Sequence, residues 1–328
     1  MNNRRRFIQA VSAPLIGSLA AHTAAQSKPS AWPSQTLRII VPFPAGGTSD
    51  VIARLISKPL ADELGVGVVV ENRTGAGGNV GAAAVASASD NHTVLLSDLG
   101  SMAIGPLINK DLPFKPEDLK GVSMLAYSPH LLAVHPSVQA NTLKELVALS
   151  QRTPLNVASS GSGTPNHLGV VDIALITGLK WQHVPYRGGA QSLSDTVAGT
   201  TQVVLNGMVA TLPQVTSGRL KVIGVSKRSR MALIGNVPTL AEQGATGYES
   251  GTYQGVLTAS GMPKIALERL NAAMVKVIRA PEIRGRLLEL GAEVMTSSPS
   301  ETSAFISTDR KRWADVIARA GNQIEGTK

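Results

Sequence analysis

Two loops of small residues have the composition and position expected of a site for a small anion. Residues 43–50 read FPAGGTSD and residues 160–165 read SGSGTP, and each loop leads from a predicted strand into a predicted helix. Glycine lets backbone N–H groups approach a ligand closely, and the first N–H groups of a helix are unpaired donors at the positive end of its dipole. We therefore predict that both loops bind one anion, although each alone is also an ordinary strand-to-helix connection.

A histidine beside the second loop leaves an enzymatic function open. His167 falls in the first turn of a helix predicted to begin at Pro165, where it either contacts the ligand or makes a structural hydrogen bond. A hydrolase or lyase needs a base, and His167 is the histidine placed to act with Ser162. That enzyme is the alternative to a binding protein.

Several other kinds of site are excluded by residue type and spacing. Val80 stands where a dinucleotide-binding motif beginning at Gly75 needs its third glycine, and the chain has no G-K-[ST] sequence for a phosphate-binding loop. There is no G-x-S-x-G motif for a hydrolase nucleophile. The chain has no Cys, and its histidines lack the spacing of a metal site. We expect neither a cofactor nor a metal.

Alternating strands and helices are predicted to position the loops. The predicted strands cover residues 37–41, 66–71, 94–97, 131–134, 155–158, 202–205, 221–225 and 256–259. The predicted helices cover residues 49–64, 79–87, 142–150, 165–177, 239–243, 263–279, 282–290 and 300–320. This alternation is typical of an α/β fold in which helices cover both faces of a parallel sheet. We predict two lobes, residues 26–127 plus 250–328 and residues 128–249, joined by crossings near Tyr127 and Ser250.

The N-terminal segment predicts export. Residues 1–25 contain three arginines, an apolar stretch from residue 10 to residue 21 and small residues at a cleavage position, which is typical of a signal peptide. Arg4 and Arg5, followed by Phe7 and Ile8, also permit a twin-arginine signal instead of a Sec signal. Removing the three arginines lowers the formal net charge from +9 to +6, and no basic stripe remains that would bind nucleic acid. We expect a soluble, periplasmic protein.

Four stretches resemble the solute-binding receptors of tripartite tricarboxylate transporters, the Bug or TctC-like family. They are IIVPFPAGGTSD at 39–50, VVENRTGAGGN at 69–79, HVPYRGG at 183–189 and VPTLAEQG at 237–244, in the order and spacing of that family. The resemblance implies a monomeric periplasmic binding protein of the type II clamshell kind. Such a receptor holds a small organic acid and presents it to integral-membrane transporter subunits. A sensor that reports to a signalling partner remains an alternative.

The same resemblance implies which residues contact the ligand. On the first lobe they are Phe43, Ala45, Gly46, Gly47 and Thr48, with Ser101 as an addition, and on the second lobe they are Ser160, Gly161, Ser162, Thr164 and His167. Asp50 would repel an anion, so we expect its side chain to bond the helix N-terminus or the loop amides. Asn206 stands where family members usually carry an acidic residue, which can face the ammonium group of an amino acid. We therefore expect a plain carboxylate ligand and include Asn206 among the ligand-binding residues.

Overall fold

The computed structural model describes residues 32–321 and residue 324. The predicted signal peptide and the residues up to Ala31 lie outside this part of the chain. The described residues form the strands β1 Leu37–Val41, β2 Val68–Asn72, β3 Thr93–Asp98, β4 Leu119–Val134, β5 Leu155–Ser159, β6 Trp181–Pro185, β7 Val203–Gly207, β8 Lys221–Val225, β9 Gly251–Ala259 and β10 Glu293–Val294. Their α-helices are α1 Thr48–Leu64, α2 Asn79–Ala86, α3 Leu99–Ile108, α4 Leu143–Ser150, α5 Pro165–Thr177, α6 Gly189–Val197, α7 Met208–Thr216, α8 Lys264–Arg279, α9 Pro281–Glu289 and α10 Pro299–Ala320.

One long strand joins two halves of the sheet. The strands follow the order β2-β1-β3-β9-β4-β7-β5-β6, and β8 and β10 each pair with β4. In the 16-residue strand β4, residues 119–129 pair with β9, and residues 130–134 pair with β7. We call β1, β2, β3, β9, β10 and the first part of β4 the first half, and β5 to β8 with the last part of β4 the second half.

The strand directions bring together the carboxyl ends of strands from both halves. Strands β2 and β3 are parallel to β1, and β9 runs antiparallel to both β3 and β4. Strands β1 and β3 therefore run in the same direction as β4, from the first half towards the second. Strand β7 is antiparallel to β4, and β5 is parallel to β7, so both run the opposite way. The loops and helix N-termini that follow these four strands consequently face one another.

Helices cover both faces of the first half. Ile39 of β1 packs with α1 and α8, whereas its neighbour Ile40 packs with α2 and α3, because alternate residues of a strand point to opposite faces. Helix α10 packs with α3 and α5 around Trp313, and Arg319 Nη2 donates to Asp172 Oδ1 of α5 at 2.8 Å. The C-terminal helices thus pack on the first half, and α10 also reaches the second half. No helix within the described ranges is long and apolar enough to cross a membrane.

The sequence prediction missed several elements. The first part of β4, strand β6 and helices α3, α6 and α7 were not predicted, and residues 239–243, predicted as a helix, form a bridge and turns. Strand β4 is buried on both faces after Lys120, so it lacks the alternation that marks a half-exposed strand. Helix α3 contains Gly100, Gly105 and Pro106, which disfavour a helix, and its burial in the fold overrides that local preference.

Candidate functional site

A small cavity lies where the carboxyl ends of the strands meet. Its volume is about 30 Å³. The surrounding residues are Phe43, Gly47, Thr48, Ser49, Asp98, Ser101, Ser160, Thr164, Asn166, Gly189, Asn206, Thr252 and Gln254. They come from both halves of the sheet, and most of them lie at or just before the N-terminus of a helix.

The first loop brings the N-terminus of α1 to the cavity. Gly47 is the N-cap, no side chain caps the helix, and Thr48 and Ser49 form its first two positions. The first N–H groups of a helix have no partner within the helix, so these backbone donors are available to a ligand. The α1 N-terminus can therefore bind an anion through backbone N–H groups and the helix dipole.

Asp50, the acid next to the α1 anion site, is engaged in hydrogen bonds within the protein. Its Oδ2 accepts from Gly46 N at 3.0 Å and from Arg54 Nε at 2.9 Å, and its Oδ1 accepts from Asn72 Nδ2 at 2.9 Å. Burial raises the pKa of Asp50, but the hydrogen bonds from Arg54, Gly46 and Asn72 outweigh it and hold the pKa below its usual value. The expectation that Asp50 bonds the loop amides is confirmed.

The second half supplies helix termini and amide side chains. Thr164 caps α5, with Oγ1 accepting from His167 N, and the same hydroxyl donates to Gly161 O at 2.8 Å. Asn166 Nδ2 donates to Asn206 Oδ1 at 3.0 Å, and Asn206 Nδ2 donates to Gly189 O at 3.3 Å. Gly189 begins α6, whose N-terminus has no side-chain cap. These bonds hold the two asparagines at the cavity and leave the first amides of α6 available as donors.

The cavity wall contains no Lys, Arg or His, and Asp98 is its one ionisable side chain. Any anion bound there would be held by backbone N–H groups, hydroxyls and amides rather than by a salt bridge. A metal site is not indicated either, since the described residues contain no cluster of three or more His, Asp or Glu side chains placed to bind a metal.

The structure brings together seven of the residues predicted from the sequence. Those that line the cavity are Phe43, Gly47, Thr48, Ser101, Ser160, Thr164 and Asn206. Ala45 and Gly46 are exposed and do not line it. Gly161 and Ser162 instead line a separate cleft of about 550 Å³ together with Tyr186 and Arg187.

His167 lies behind the second loop rather than in the cavity. It is 1% exposed, its Nδ1 accepts from Gly163 N at 3.1 Å, and its ring stacks on His183 with centroids 3.9 Å apart. Burial, followed by the nearby His183, lowers the pKa of His167 to about 3. Ser162 is exposed and makes no hydrogen bond with His167 in the described chain. The pair proposed for a hydrolase or lyase is therefore not assembled.

Six cavity residues were missed by the sequence analysis: Ser49, Asp98, Asn166, Gly189, Thr252 and Gln254. Ser49 and Gly189 lie within two of the quoted motifs, at 39–50 and 183–189, so assigning more residues of those motifs to the site would have included them. Asp98 directly follows a predicted strand, which was a usable signal for a helix cap. Thr252 and Gln254 reach the cavity only because β9 pairs with β3, and no local pattern marks them.

Asp98 is a buried acid at the cavity wall. Its Oδ1 accepts from Gly100 N and from Tyr253 N, each at 3.1 Å, which caps α3 and ties it to β9. The side chain is almost fully buried, and this burial raises the pKa of Asp98 to about 7. Asp309 raises it further, whereas the two backbone hydrogen bonds and Arg312 act in the opposite direction.

The two halves approach each other closely around the cavity at two glycines. A Cβ added to Gly207 of β7 would lie 2.7 Å from Thr48 Oγ1, and one added to Gly188 would lie 2.3 Å from Pro44 Cδ. Real Cβ atoms do not come this close to other heavy atoms. Glycine at these positions therefore lets the second half close against the first loop.

Comparison with known proteins assigns the chain to a family. The sequence profile described as the tripartite tricarboxylate transporter family receptor, TctC, matches residues 52–322. A protein from the tcbD-tcbE intergenic region of Pseudomonas sp. is 32% identical over 96% of this chain and 94% of its own length.

Solved structures share both the fold and the sequence. An R. palustris protein with adipate is 29% identical, with a TM-score of 0.85 over 88% of this chain and 98% of its own. MatC from Rhodopseudomonas palustris with bound malate is 28% identical, with a TM-score of 0.83 over 87% and 100%. The periplasmic binding protein BugD is 27% identical, with a TM-score of 0.84 over 88% and 99%.

These matches agree with the α/β sheet described above and with the resemblance found in the sequence. The members of this family are binding receptors and not enzymes. The chain belongs to the TctC, or Bug, family of tripartite tricarboxylate transporter receptors, and it is a periplasmic solute-binding receptor with the α/β periplasmic binding protein fold.

Proposed function

We propose that this receptor captures a small organic carboxylate between the two halves of its sheet and delivers it to a tripartite tricarboxylate-type membrane transporter. The observation that carries the proposal is the cavity itself, where the uncapped N-termini of α1 and α6 supply backbone donors and no cationic side chain is present. This arrangement suits a carboxylate. The adipate and malate in two related structures are consistent with that ligand class.

Among the residues predicted from the sequence, we assign to the ligand those that line the cavity. Gly47 and Thr48, together with the neighbouring Ser49, would hold a carboxylate from the first half, and Ser160, Thr164 and Asn206 would contact the ligand from the second. Phe43 would provide an apolar surface beside it, since its side chain is also buried at the cavity.

Ligand capture requires the halves to separate and close. A cavity of about 30 Å³ holds only about two water molecules, so an organic acid needs a more open form to enter. We propose that residues 32–127 with 250–321 move against residues 128–249, about crossings in β4 and at the start of β9. The long strand β4 supports this division because its pairing partner changes between residues 129 and 130.

The transporter partner and the export route are further parts of the proposal. The family description names a tripartite tricarboxylate transporter, which supports integral-membrane subunits as the proteins that receive the ligand. The basic and apolar pattern of residues 1–25 supports export through a Sec or twin-arginine signal, after which the mature chain begins near Gln26. We propose that the mature receptor acts as a monomer.

A thermal-shift screen tests the ligand class. The mature chain, unfolded and refolded to remove bound ligand, is mixed with mono-, di- and tricarboxylates, aromatic acids, amino acids and neutral sugars. A ligand at 100 times its Kd adds about 2.7 kcal/mol to the free energy of unfolding, which raises the midpoint by several degrees. A rise with one or a few carboxylates is the expected result. A rise with sugars alone, or with none of the compounds, would contradict the proposal.

A further inference from the structure

Asp98 and three neighbouring polar side chains form a part of the cavity wall that a simple anion site does not explain. Asp98 ends β3 and is the register partner of Gln254 on β9, while Thr252 lies two residues earlier on the same face of β9, and Ser101 lies in the first turn of α3. All four side chains line the cavity and are at most 5% exposed. We call these four residues the acid wall.

The acid wall has unused hydrogen-bonding capacity. Ser101 Oγ, Thr252 Oγ1 and Gln254 Oε1 are buried without a hydrogen-bond partner. Oδ1 of Asp98 receives two backbone N–H groups, but Oδ2 receives none from any residue in the described ranges. Buried polar groups are rarely left in this state, because each lost partner costs the full desolvation of the group. A ligand that enters the cavity can supply these missing partners.

Asp98 forms no ion pair with a Lys, Arg or His side chain of the described residues. Two charged side chains of α10 act on Asp98, and there Arg312 Nε lies 3.2 Å from Asp309 Oδ1 and the Arg312 guanidinium lies over the Trp313 ring. Asp309 itself adds negative charge near Asp98 and accepts from Trp313 Nε1. Asp98 therefore has no ion-pair partner in the described chain, although it lines a cavity whose other wall favours anions.

We propose that Asp98 selects ligands that carry a hydrogen-bond donor, a hydroxyl or an ammonium group, next to their carboxylate. This inference rests on the proposed function and specifies its ligand class. The α1 and α6 N-termini hold the carboxylate, and Asp98 Oδ2 accepts from the donor. Ser101, Thr252 and Gln254 complete the contacts around it. Asp98 also supplies the acidic side chain that is absent at Asn206. The ligand therefore carries a donor group and is not the plain carboxylate expected from Asn206.

The test compares acids that share a carbon skeleton and differ only in the donor. Succinate, malate and aspartate form one set, and adipate, 2-hydroxyadipate and 2-aminoadipate form the other. Their affinities are measured by titration calorimetry for the refolded mature chain and for two variants. Asp98→Asn removes the charge but keeps an oxygen that can cap α3. Asp309→Asn is the matched control, because it removes a nearby buried acid that does not line the cavity.

We expect a donor-bearing member of one set to bind the wild type at least about tenfold more tightly than its unsubstituted parent, as a hydrogen bond to a charged group allows. Asp98→Asn should reduce this preference to less than about threefold, and Asp309→Asn should leave it unchanged. The better of the hydroxyl and ammonium compounds identifies the donor.

Three results would overturn the inference. If the unsubstituted acid binds the wild type as tightly as its derivatives, Asp98 does not select a donor, and this result does not depend on any variant. If the preference survives in Asp98→Asn, another residue provides it. If no member of either set binds the wild type, the proposed carboxylate function fails for these acids, and the inference fails with it.

Discussion

Helices α1 and α3 both follow parallel strands of the first half, and their N-termini face the same cavity with opposite electrostatic character. At α1 the N-cap is Gly47, no side chain covers the first amides, and the nearby acid Asp50 is bound to Arg54. At α3 the N-cap is Asp98, which lines the cavity, accepts from an amide of its own helix through Oδ1 and leaves Oδ2 without a hydrogen-bond partner in the described residues. The identity of the cap therefore decides whether a helix N-terminus offers a donor or an acceptor.

The largest effect on ligand binding is expected when the α1 N-terminus is made acidic. Ser49→Asp should weaken binding of the preferred carboxylate by about 100-fold or more, because it places a like charge at the proposed anion site. The helix itself should remain stable, since an acid in the first turn interacts favourably with the dipole. Calorimetric titration gives the affinity. Ser49→Asn is the neutral control, and unchanged affinity in Ser49→Asp would place the carboxylate elsewhere.

Neutralising the acid wall should stabilise the ligand-free receptor at neutral pH. Asp98 in the folded protein keeps its proton up to a pKa of about 7, whereas the unfolded chain releases it near pH 4. The stability of the wild type relative to Asp98→Asn should therefore fall as pH rises from 4 to 7 and stay constant above that. Three pKa units at about 1.36 kcal/mol each mean that Asp98→Asn should gain about 4 kcal/mol of stability over the wild type between pH 4 and pH 8.

Denaturant melts of both proteins at pH 4 and pH 8 measure this difference. A variant that is less stable than the wild type at pH 8 would show that the Asp98 carboxylate is satisfied by the protein, and the contrast between the two helix N-termini would then be wrong.

A third substitution leaves the N-termini of α1 and α3 unchanged and blocks the approach of the second half to the first loop. Gly188 has an extended backbone that alanine also adopts, but the added Cβ would lie 2.3 Å from Pro44 Cδ. Gly188→Ala should weaken ligand binding about tenfold and reduce the ligand-induced decrease in radius of gyration measured by X-ray scattering. Gly261→Ala is the control, because nothing lies within 4 Å of its added Cβ. Equal affinity in both variants would mean that closure at Pro44 does not contribute to binding.

The smallest effect concerns histidines outside the cavity. Burial lowers the pKa of His167 to about 3 and that of His183 to about 4, so both stay neutral in the folded protein while the unfolded chain gains protons below pH 6.5. Their contribution to stability is present above pH 6.5 and is lost as pH falls. Between pH 6.5 and 5.5 the free energy of unfolding should fall by about 1 kcal/mol less in His167→Gln than in the wild type. His135→Gln is the matched control. An identical acid slope in wild type and His167→Gln would contradict the pKa assignment.

The part of the site that could be predicted from the sequence is the part encoded locally. The loop at Gly47 and Thr48 and the cap at Thr164 have their strand, turn and helix within a few residues, and all three residues line the cavity. Asp98 depends on Tyr253, 155 positions away, whose N–H holds its side chain in place. No local pattern records such a pairing, so Asp98, Thr252 and Gln254 of the acid wall were missed, whereas Ser101 was predicted.

His167 shows a second limit. Its place in the first turn of α5 was predicted, but the position along a helix does not determine which way a side chain faces. The ring accepts a hydrogen bond from Gly163 N and stacks on His183, and it does not line the ligand cavity. The order of strands and helices along the chain was predictable because each element is marked by residues close together in the sequence. The length of β4 was not predictable, because its residues are buried on both faces and show no alternation.

Strand β4 also has a consequence for how the protein unfolds. The halves have separate apolar cores, one around Ile52 and Leu270 and the other around Leu146 and Val157, which would ordinarily favour two independent folding units. Each core nevertheless includes residues of the same uninterrupted strand, Leu125 in one and Leu132 in the other. Melting either half would strip the partner strands from β4 and weaken the other half. A receptor built to move as two bodies is therefore expected to lose its structure as one, in a single cooperative transition.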